Sequence, residues 1–253
     1  MMLDLFLKDN GNFINYRVEH AICFVACIAL IVFIPFWAKK YWNTSQQQLF
    51  ITLICVAGAF TQLFKVLYRY YAGVFDQTTD VPLHLCNIMT LVMPFIMWFK
   101  WRKLWGITFF LIIAGCAQSI FTPTLTESLP HYEAIRYWLV HAVIILGAFY
   151  GWYVYGYIPT VSDAIRSAVG INLLAAVLYP INVMLGANYM YLNAKPPGAT
   201  FYDLLGPWPD YILMLEFILI LFFGMILIPF HWEKIKPSLI NIRIPGLGQK
   251  DEH

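Results

Sequence analysis

Seven separate runs of roughly 20 mostly apolar residues, each the length a helix needs to cross ~30 Å of hydrocarbon, constrain this 253-residue chain more than any other feature. They cover residues 18–38, 47–70, 81–99, 104–121, 132–155, 164–186 and 209–230, bounded by charge, proline or glycine. Lipid offers no hydrogen-bond partners, so only helices or closed barrels satisfy their backbone there, and these runs are too long and continuous for the ~10-residue alternating strands of a barrel. The expected fold is all-α: a polytopic seven-transmembrane-helix bundle, one domain over residues 1–253, with no internal repeat. Charged residues make up only 12% of the chain, about half the ~25% of a soluble domain. With a mean hydropathy of +0.66, that excludes a disordered chain and a basic nucleic-acid binder. The first run is span-length and no small-x-small site follows it, so a cleaved signal peptide is not expected.

Orientation follows from the placement of Lys and Arg. With the N-terminus outside, the inner loops and tail hold Lys39, Lys40, Lys100, Arg102, Lys103, Arg166, Lys234, Lys236, Arg243 and Lys250, ten residues. The outer set holds Lys8, Arg17, Lys65, Arg69, Arg136 and Lys195, six residues. The short turn Lys100-Trp101-Arg102-Lys103 decides most, because short basic loops seldom cross. The expectation is N-terminus outside, C-terminus cytoplasmic. The longest connection, 187–208, then lies outside, and its Pro196-Pro197-Gly198 and Gly206-Pro207-Trp208-Pro209 stretches predict a structured cap.

Polar side chains inside spans are costly and usually face the bundle interior or a water-filled cavity. Here they gather toward the outer half: His84, Cys86 and Asn87 early in the third run, Gln62, Gln118 and Asn182 late in the second, fourth and sixth, Glu216 two turns into the seventh. His141 lies roughly 13 Å below Tyr132 at the rise of a helix. The inner halves are nearly pure Leu, Ile, Phe and Trp, the pattern of a polar pocket open to the outer leaflet. On the sixth run, Asn172, Ala175, Ala176, Tyr179, Asn182 and Gly186 share one face by helical spacing and are expected to point inward.

A nucleophilic cysteine must reach its thiolate, which a helix N-terminus or an adjacent imidazole favours. Of the five cysteines, Cys23, Cys27, Cys55, Cys86 and Cys116, none forms a C-x-x-C pair, so neither a metal cage nor a disulfide framework is expected. Cys86 lies near the start of its run and the other four have no ionisable neighbour at helical spacing that suggests activation, although a membrane cysteine is by default a small core residue. His84, about 200° around the axis from it in a regular helix, cannot be its base; His141 is the candidate. Gly147-x-x-x-Gly151 reads as a close helix contact. Lys65 and Arg69 read as snorkelling to the headgroups, with phosphate binding as the alternative. No nucleotide, zinc-protease or serine-hydrolase motif is present, and no cofactor or metal is expected.

Leu83-His84-Leu85-Cys86-Asn87-Ile88, Tyr137-Trp138-Leu139-Val140-His141, Asn188-Tyr189-Met190-Tyr191-Leu192 and Leu205-Gly206-Pro207-Trp208 together resemble the YwaF-type bacterial integral membrane family, whose vertebrate relative is transmembrane protein 164. The resemblance implies a seven-span fold and, from the vertebrate branch, a cysteine-dependent phospholipid acyltransferase working through an acyl-cysteine. Cys86 takes the nucleophile's position and His141 that of its partner. The flanks differ: the vertebrate branch has Asn-Pro before its cysteine and His after it. Its polyunsaturated substrate does not transfer to bacteria, which usually lack such chains.

The expected function is a lipid acyltransferase or lipid esterase of a bacterial plasma membrane, acting on phospholipids and lysophospholipids and binding no nucleic acid. Asn87, Gln118 and Asn182 are candidate oxyanion donors. His84 or Glu216 is the candidate for orienting the imidazole, with Asn188 a further substrate-side polar group. The rival readings are a transporter and a non-catalytic lipid- or peptide-binding protein using the same cavity. Against transport stand the missing inverted repeat and the apolar inner halves.

Overall fold

A computed structural model describes residue 7, residues 10–196 and residues 201–240. Seven helices follow the seven apolar runs: α1 (Val18–Tyr41), α2 (Thr44–Tyr71), α3 (Leu85–Phe99), α4 (Arg102–Leu111), α5 (Tyr132–Tyr153), α6 (Val161–Leu185) and α7 (Asp210–Ile240). The described residues contain no strand. Six segments are long and apolar enough to cross a membrane, counting α4 together with its continuation to Ile120. The third expected run differs. Its first four residues are not helical, and α3 has 15 residues, about 22 Å at 1.5 Å per residue. Val81 instead gives its backbone N–H to the Tyr189 hydroxyl at 3.1 Å, and His84 stands before the helix with extended backbone.

Local chemistry sets the other boundaries. Asn43 with Gln46 and Thr160 with Asp163 form reciprocal capping boxes that start α2 and α6 by satisfying otherwise orphaned N–H groups. Gly186, at φ +65°, ends α6 in the left-handed conformation that glycine adopts without strain. Lys100 ends α3 in the same region at φ 51°, making the short turn to α4.

The core is built around α5, which is buried almost without interruption from Val140 to Ala148. Helices α1, α2 and α3 pack on it, α2 packs along α3, and α6 lies against α4. One end of the bundle joins α1 to α2, α3 to α4 and α5 to α6. It is tied by Lys39 Nζ to the Tyr153 carbonyl at 2.8 Å, Gln48 to the Trp98 carbonyl at 2.5 Å and Arg102 to Asp163 at 2.8 Å. An open groove of 560 Å³ at this end is lined by Phe33, Trp37, Lys40 and Tyr153 among others, and none of the expected site residues touches it. The opposite end carries the 72–84, 121–131 and 187–208 connections.

The Gly147/Gly151 pair of α5 does mark close packing, but side chains rather than a neighbouring backbone occupy the space. The Met93 methyl of α3 lies over Gly147, and the indole of Trp105 from α4 lies over Gly151. Trp105 is fully buried and donates its N–H to the Ala148 carbonyl at 3.2 Å. Gly151→Ala is therefore expected to cost about 2 kcal/mol by overpacking, whereas Gly147→Ala costs less because the end of a methionine swings aside. Thermal unfolding in detergent checks this, and equal melting temperatures for the two variants would contradict the packing account.

One inward-facing expectation is overturned in part: of the face expected inside on α6, Asn182 is buried and Ala175 half-buried. On α6 the buried side chains are Asp163, Ala164, Ser167, Leu178 and Asn182, whereas Asn172, Ala176, Tyr179 and Gly186 are exposed. The buried stripe follows the partners: Ser167 donates to the Ile107 carbonyl of α4 at 2.9 Å, and Asp163 meets Arg102. The Pro197-Gly198 part of the expected cap, and Lys8, Arg243 and Lys250 of the charge count, lie outside the described residues. So do the side chains of Lys234 and Lys236.

Candidate functional site

Cys86 is the second residue of α3. In a helix's first turn the backbone N–H groups lack intrahelical partners and the helix dipole favours negative charge. Nothing caps this end, because the His84 ring turns away: its Nδ1 accepts from the Met190 N–H at 3.3 Å. Among the described residues no oxygen takes the N–H of Leu85 or Cys86. The thiol is half-buried and makes only a weak 3.8 Å contact to Asn87 Oδ1.

His141 lies on α5, which packs against α3, and is buried. Its Nδ1 is 2.8 Å from the Tyr137 carbonyl one turn back. A carbonyl only accepts, so Nδ1 carries the proton and Nε2 the lone pair. Nε2 has no hydrogen-bond partner among the described residues. The imidazole is thus held in the tautomer of a general base, by a backbone oxygen.

The surroundings tie the two residues together. The Tyr137 ring lies 4.3 Å from that of His141, and its phenol is within electrostatic reach of Cys86. That phenol is fixed by donating to the Ser119 carbonyl at 3.0 Å. Arg136 is within electrostatic reach of both Cys86 and His141. It is itself held by Glu133 at 2.8 Å and by Gln62 Oε1 at 2.6 Å. The neighbouring α4 loses regularity beside Cys86: a π-turn runs over Ile112–Cys116 and a 3-10 turn over Ala117–Ile120. Such turns are frequent at functional sites. A Cβ on Gly115 would meet the Leu85 side chain at 2.9 Å.

The described parts of the 187–208 connection, 187–196 and 201–208, are tied down at this end. Asn182 anchors it, exchanging hydrogen bonds with the Tyr189 backbone at 2.9 Å and reaching Asn193. Asn188 binds the N–H groups of Asn193 and Ala194 at 3.1 Å. Trp208 Nε1 donates to the Leu192 carbonyl at 2.9 Å. Met190 and Tyr191 sit at φ 58° and 56°, a conformation non-glycine residues hold only where surroundings enforce it. The Tyr191 ring packs 5.4 Å from His84. Burial pushes its phenol above the ordinary value, so it remains a neutral O–H donor, and that hydroxyl has no hydrogen-bond partner among the described residues.

His84, Cys86 and Asn87 share the start of α3, and Tyr137 links them to His141, whose ring it packs against. The structure sets the others apart. Gln118 is exposed and bonds the Gly115 carbonyl. Asn182 and Asn188 are occupied with the cap. Glu216 accepts from Asn172 at 3.0 Å between α7 and α6, and neither it nor His84 bonds the imidazole. Lys65 and Arg69 do not snorkel. They turn inward to the buried Asp80, at 3.3 and 2.6 Å, and Lys65 also reaches Glu133 at 3.7 Å. Glu133 lies far along the chain and Asp80 in the loop after α2, eleven residues beyond Arg69, so helical spacing alone gives no sign of them.

Neither a curated protein nor a solved structure matches the chain. A family model does, over residues 14–227, which takes in six of the helices, the cap and the first part of α7. With that match spanning well over half its length, the chain belongs to the TMEM164 family.

Proposed function

We propose that the protein is a membrane-embedded lipid acyltransferase or lipid esterase that cleaves glycerophospholipid esters through an acyl-Cys86 intermediate, of the YwaF-type branch and in a bacterial plasma membrane. The observation that carries the reading is the imidazole of His141, whose Nδ1 is committed to the Tyr137 carbonyl and whose Nε2 is left as an unpaired base. Cys86 occupies a helix start where no oxygen among the described residues takes the N–H of Leu85 or Cys86.

In this mechanism Nε2 takes the thiol proton and the thiolate sulfur attacks the ester carbonyl, forming a C–S bond. The carbonyl oxygen becomes an oxyanion, received by the N–H groups of Leu85 and Cys86 and by the Asn87 amide. As the intermediate collapses, the C–O bond to glycerol breaks and the imidazolium returns its proton to the departing alkoxide, giving a lysolipid and a thioester. A lysophospholipid hydroxyl, or water, then loses its proton to His141 and attacks the thioester, and the thiolate leaves. Tyr137 orients the base and Tyr191 offers a neutral donor above the reacting carbonyl. The N-terminus and the cap would face outside, so acyl chains are drawn from the outer leaflet.

Intact mass spectrometry after incubation with mixed bacterial phospholipids tests the reading. Wild type is expected to carry an acyl mass that hydroxylamine removes, and Cys86→Ala to carry none. Full lipid turnover by both Cys86→Ala and Cys86→Ser would overturn it.

A further inference from the structure

One group of charges beside the cysteine is bonded in a way that leaves it incomplete. Lys65, Arg69 and Arg136 share two buried or half-buried carboxylates, Asp80 and Glu133. The other acid nearby, Asp76, is exposed and turned to Thr78, whose N–H and hydroxyl it accepts at 2.8 Å. Arg136 spends its donors on Glu133 and Gln62. Lys65 does not: its ammonium, 15% exposed, stands 3.3 Å from one carboxylate and 3.7 Å from another, and hydrogen-bonds neither. Arg69 gives Nε to Asp80 and Nη2 to the Val74 carbonyl, and its Nη1 has no partner among the described residues. Lys65 is nearly buried and Arg69 partly exposed, and the N–H donors that the two leave without a hydrogen bond lie one helical turn apart on α2.

The place matters as much as the charge. Lys65 is within electrostatic reach of His84, two residues before Cys86, and Arg136 is within reach of Cys86 itself. In a glycerophospholipid the phosphate and the nearer fatty ester sit on adjacent glycerol carbons, so an ester presented to Cys86 brings a monoanionic phosphate toward this group.

We propose that Lys65 Nζ and Arg69 Nη1 bind the phosphate of a lipid headgroup and so select phosphate-bearing glycerolipids over diacylglycerol at the Cys86 site. As a statement about selection this rests on the ester-cleavage reading. As a statement about binding it does not, and the two separate in the experiment. Full-length protein in detergent is given 1-palmitoyl-2-oleoyl phosphatidylglycerol or the diacylglycerol with the same chains. Wild type is expected to turn over the phospholipid faster, and Lys65→Gln to lower the phospholipid-to-diacylglycerol rate ratio about tenfold or more, the worth of a charge-assisted hydrogen bond. Lys65→Arg keeps most of the ratio. An unchanged ratio in Lys65→Gln and Arg69→Gln overturns the proposal.

The binding arm uses Cys86→Ala, where no turnover intervenes, so it stands even if the catalytic reading fails. Lysophosphatidylglycerol is expected to raise its melting temperature, whereas the monoacylglycerol of the same chain is not, and Lys65→Gln in the same background removes the difference. Equal shifts from the two lipids overturn the proposal, also where Lys65→Gln does not fold. Inorganic phosphate supplies the last arm. A shift from phosphate alone, with none from lysophosphatidylglycerol, assigns the site to the free ion and overturns the headgroup role.

Discussion

His141→Ala is expected to slow formation of the acyl-Cys86 adduct by about 10²–10⁴-fold, the usual contribution of a positioned general base. The loss should exceed that of any other single change outside Cys86, because His141 is the buried imidazole whose Nδ1 proton is committed to a carbonyl, which leaves Nε2 as the base. Imidazole added to the buffer should restore part of the rate to His141→Ala, and none to Cys86→Ala. The melting temperature of the variant should change little beyond the loss of one side chain, since His141 makes a single hydrogen bond, to its own helix. Retention of the full acylation rate in His141→Ala, measured by mass spectrometry on a time course, would remove His141 from the mechanism.

Asp80→Asn is the second large effect, and it is one of stability. Asp80 joins Arg69, Lys65 and the Asp76 N–H at 2.6, 3.3 and 2.8 Å from a nearly inaccessible position. Taking away a buried charge that neutralises two cations costs about 3 kcal/mol, at the low end for a broken buried pair because Arg69 is partly exposed. That corresponds to a drop of roughly 6–12 °C in Tm for a chain of this size. The pH dependence has a definite sign. Burial alone would raise the Asp80 carboxyl, but the Asp76 N–H, Arg69 and Lys65 together hold it below the ordinary range. Its stabilisation is therefore complete above the unfolded value of ~3.9 and is lost as pH falls through the lower, folded value. Wild-type Tm should decline on acidification below about pH 4, with a shallower decline in Asp80→Asn. Equal melting temperatures at neutral pH would contradict the account.

The apolar runs announce the helices because length and continuity are all that lipid asks of a span. Helix boundaries are legible to within a few residues where a local cap exists, as at Asn43 and Thr160. They are not at 81–84, where a tyrosine hydroxyl more than a hundred residues away takes a backbone donor. The candidate site is legible in part. Cys86 near a helix start and His141 on a facing helix are positions that spacing alone can assign. Which face of α6 turns inward is not, because in lipid an alanine-rich polar stripe and a leucine stripe are both tolerated outside, and the partner chosen by Ser167 and Asp163 decides. Lys65, Arg69 and Arg136 look like interfacial charges in the sequence for a similar reason: Asp80 and Glu133, which turn the two α2 cations inward, come from other elements.

The π-turn at Ile112–Cys116 makes the winding of this segment matter independently of its residues. A π-turn holds one residue more than a regular helical turn, so winding the same five residues into an ordinary α-helix would rotate the residues beyond it by about 100°. The Ser119 carbonyl, which fixes the Tyr137 phenol, and the Ile120 carbonyl, 3.0 Å from the His20 ring, would both be carried off their partners. A chain altered in this way would keep every residue of the Cys86 and His141 surroundings and still lose the support beneath the imidazole. The winding of this segment, rather than the identity of its apolar side chains, therefore sets where the Ser119 carbonyl meets the Tyr137 phenol.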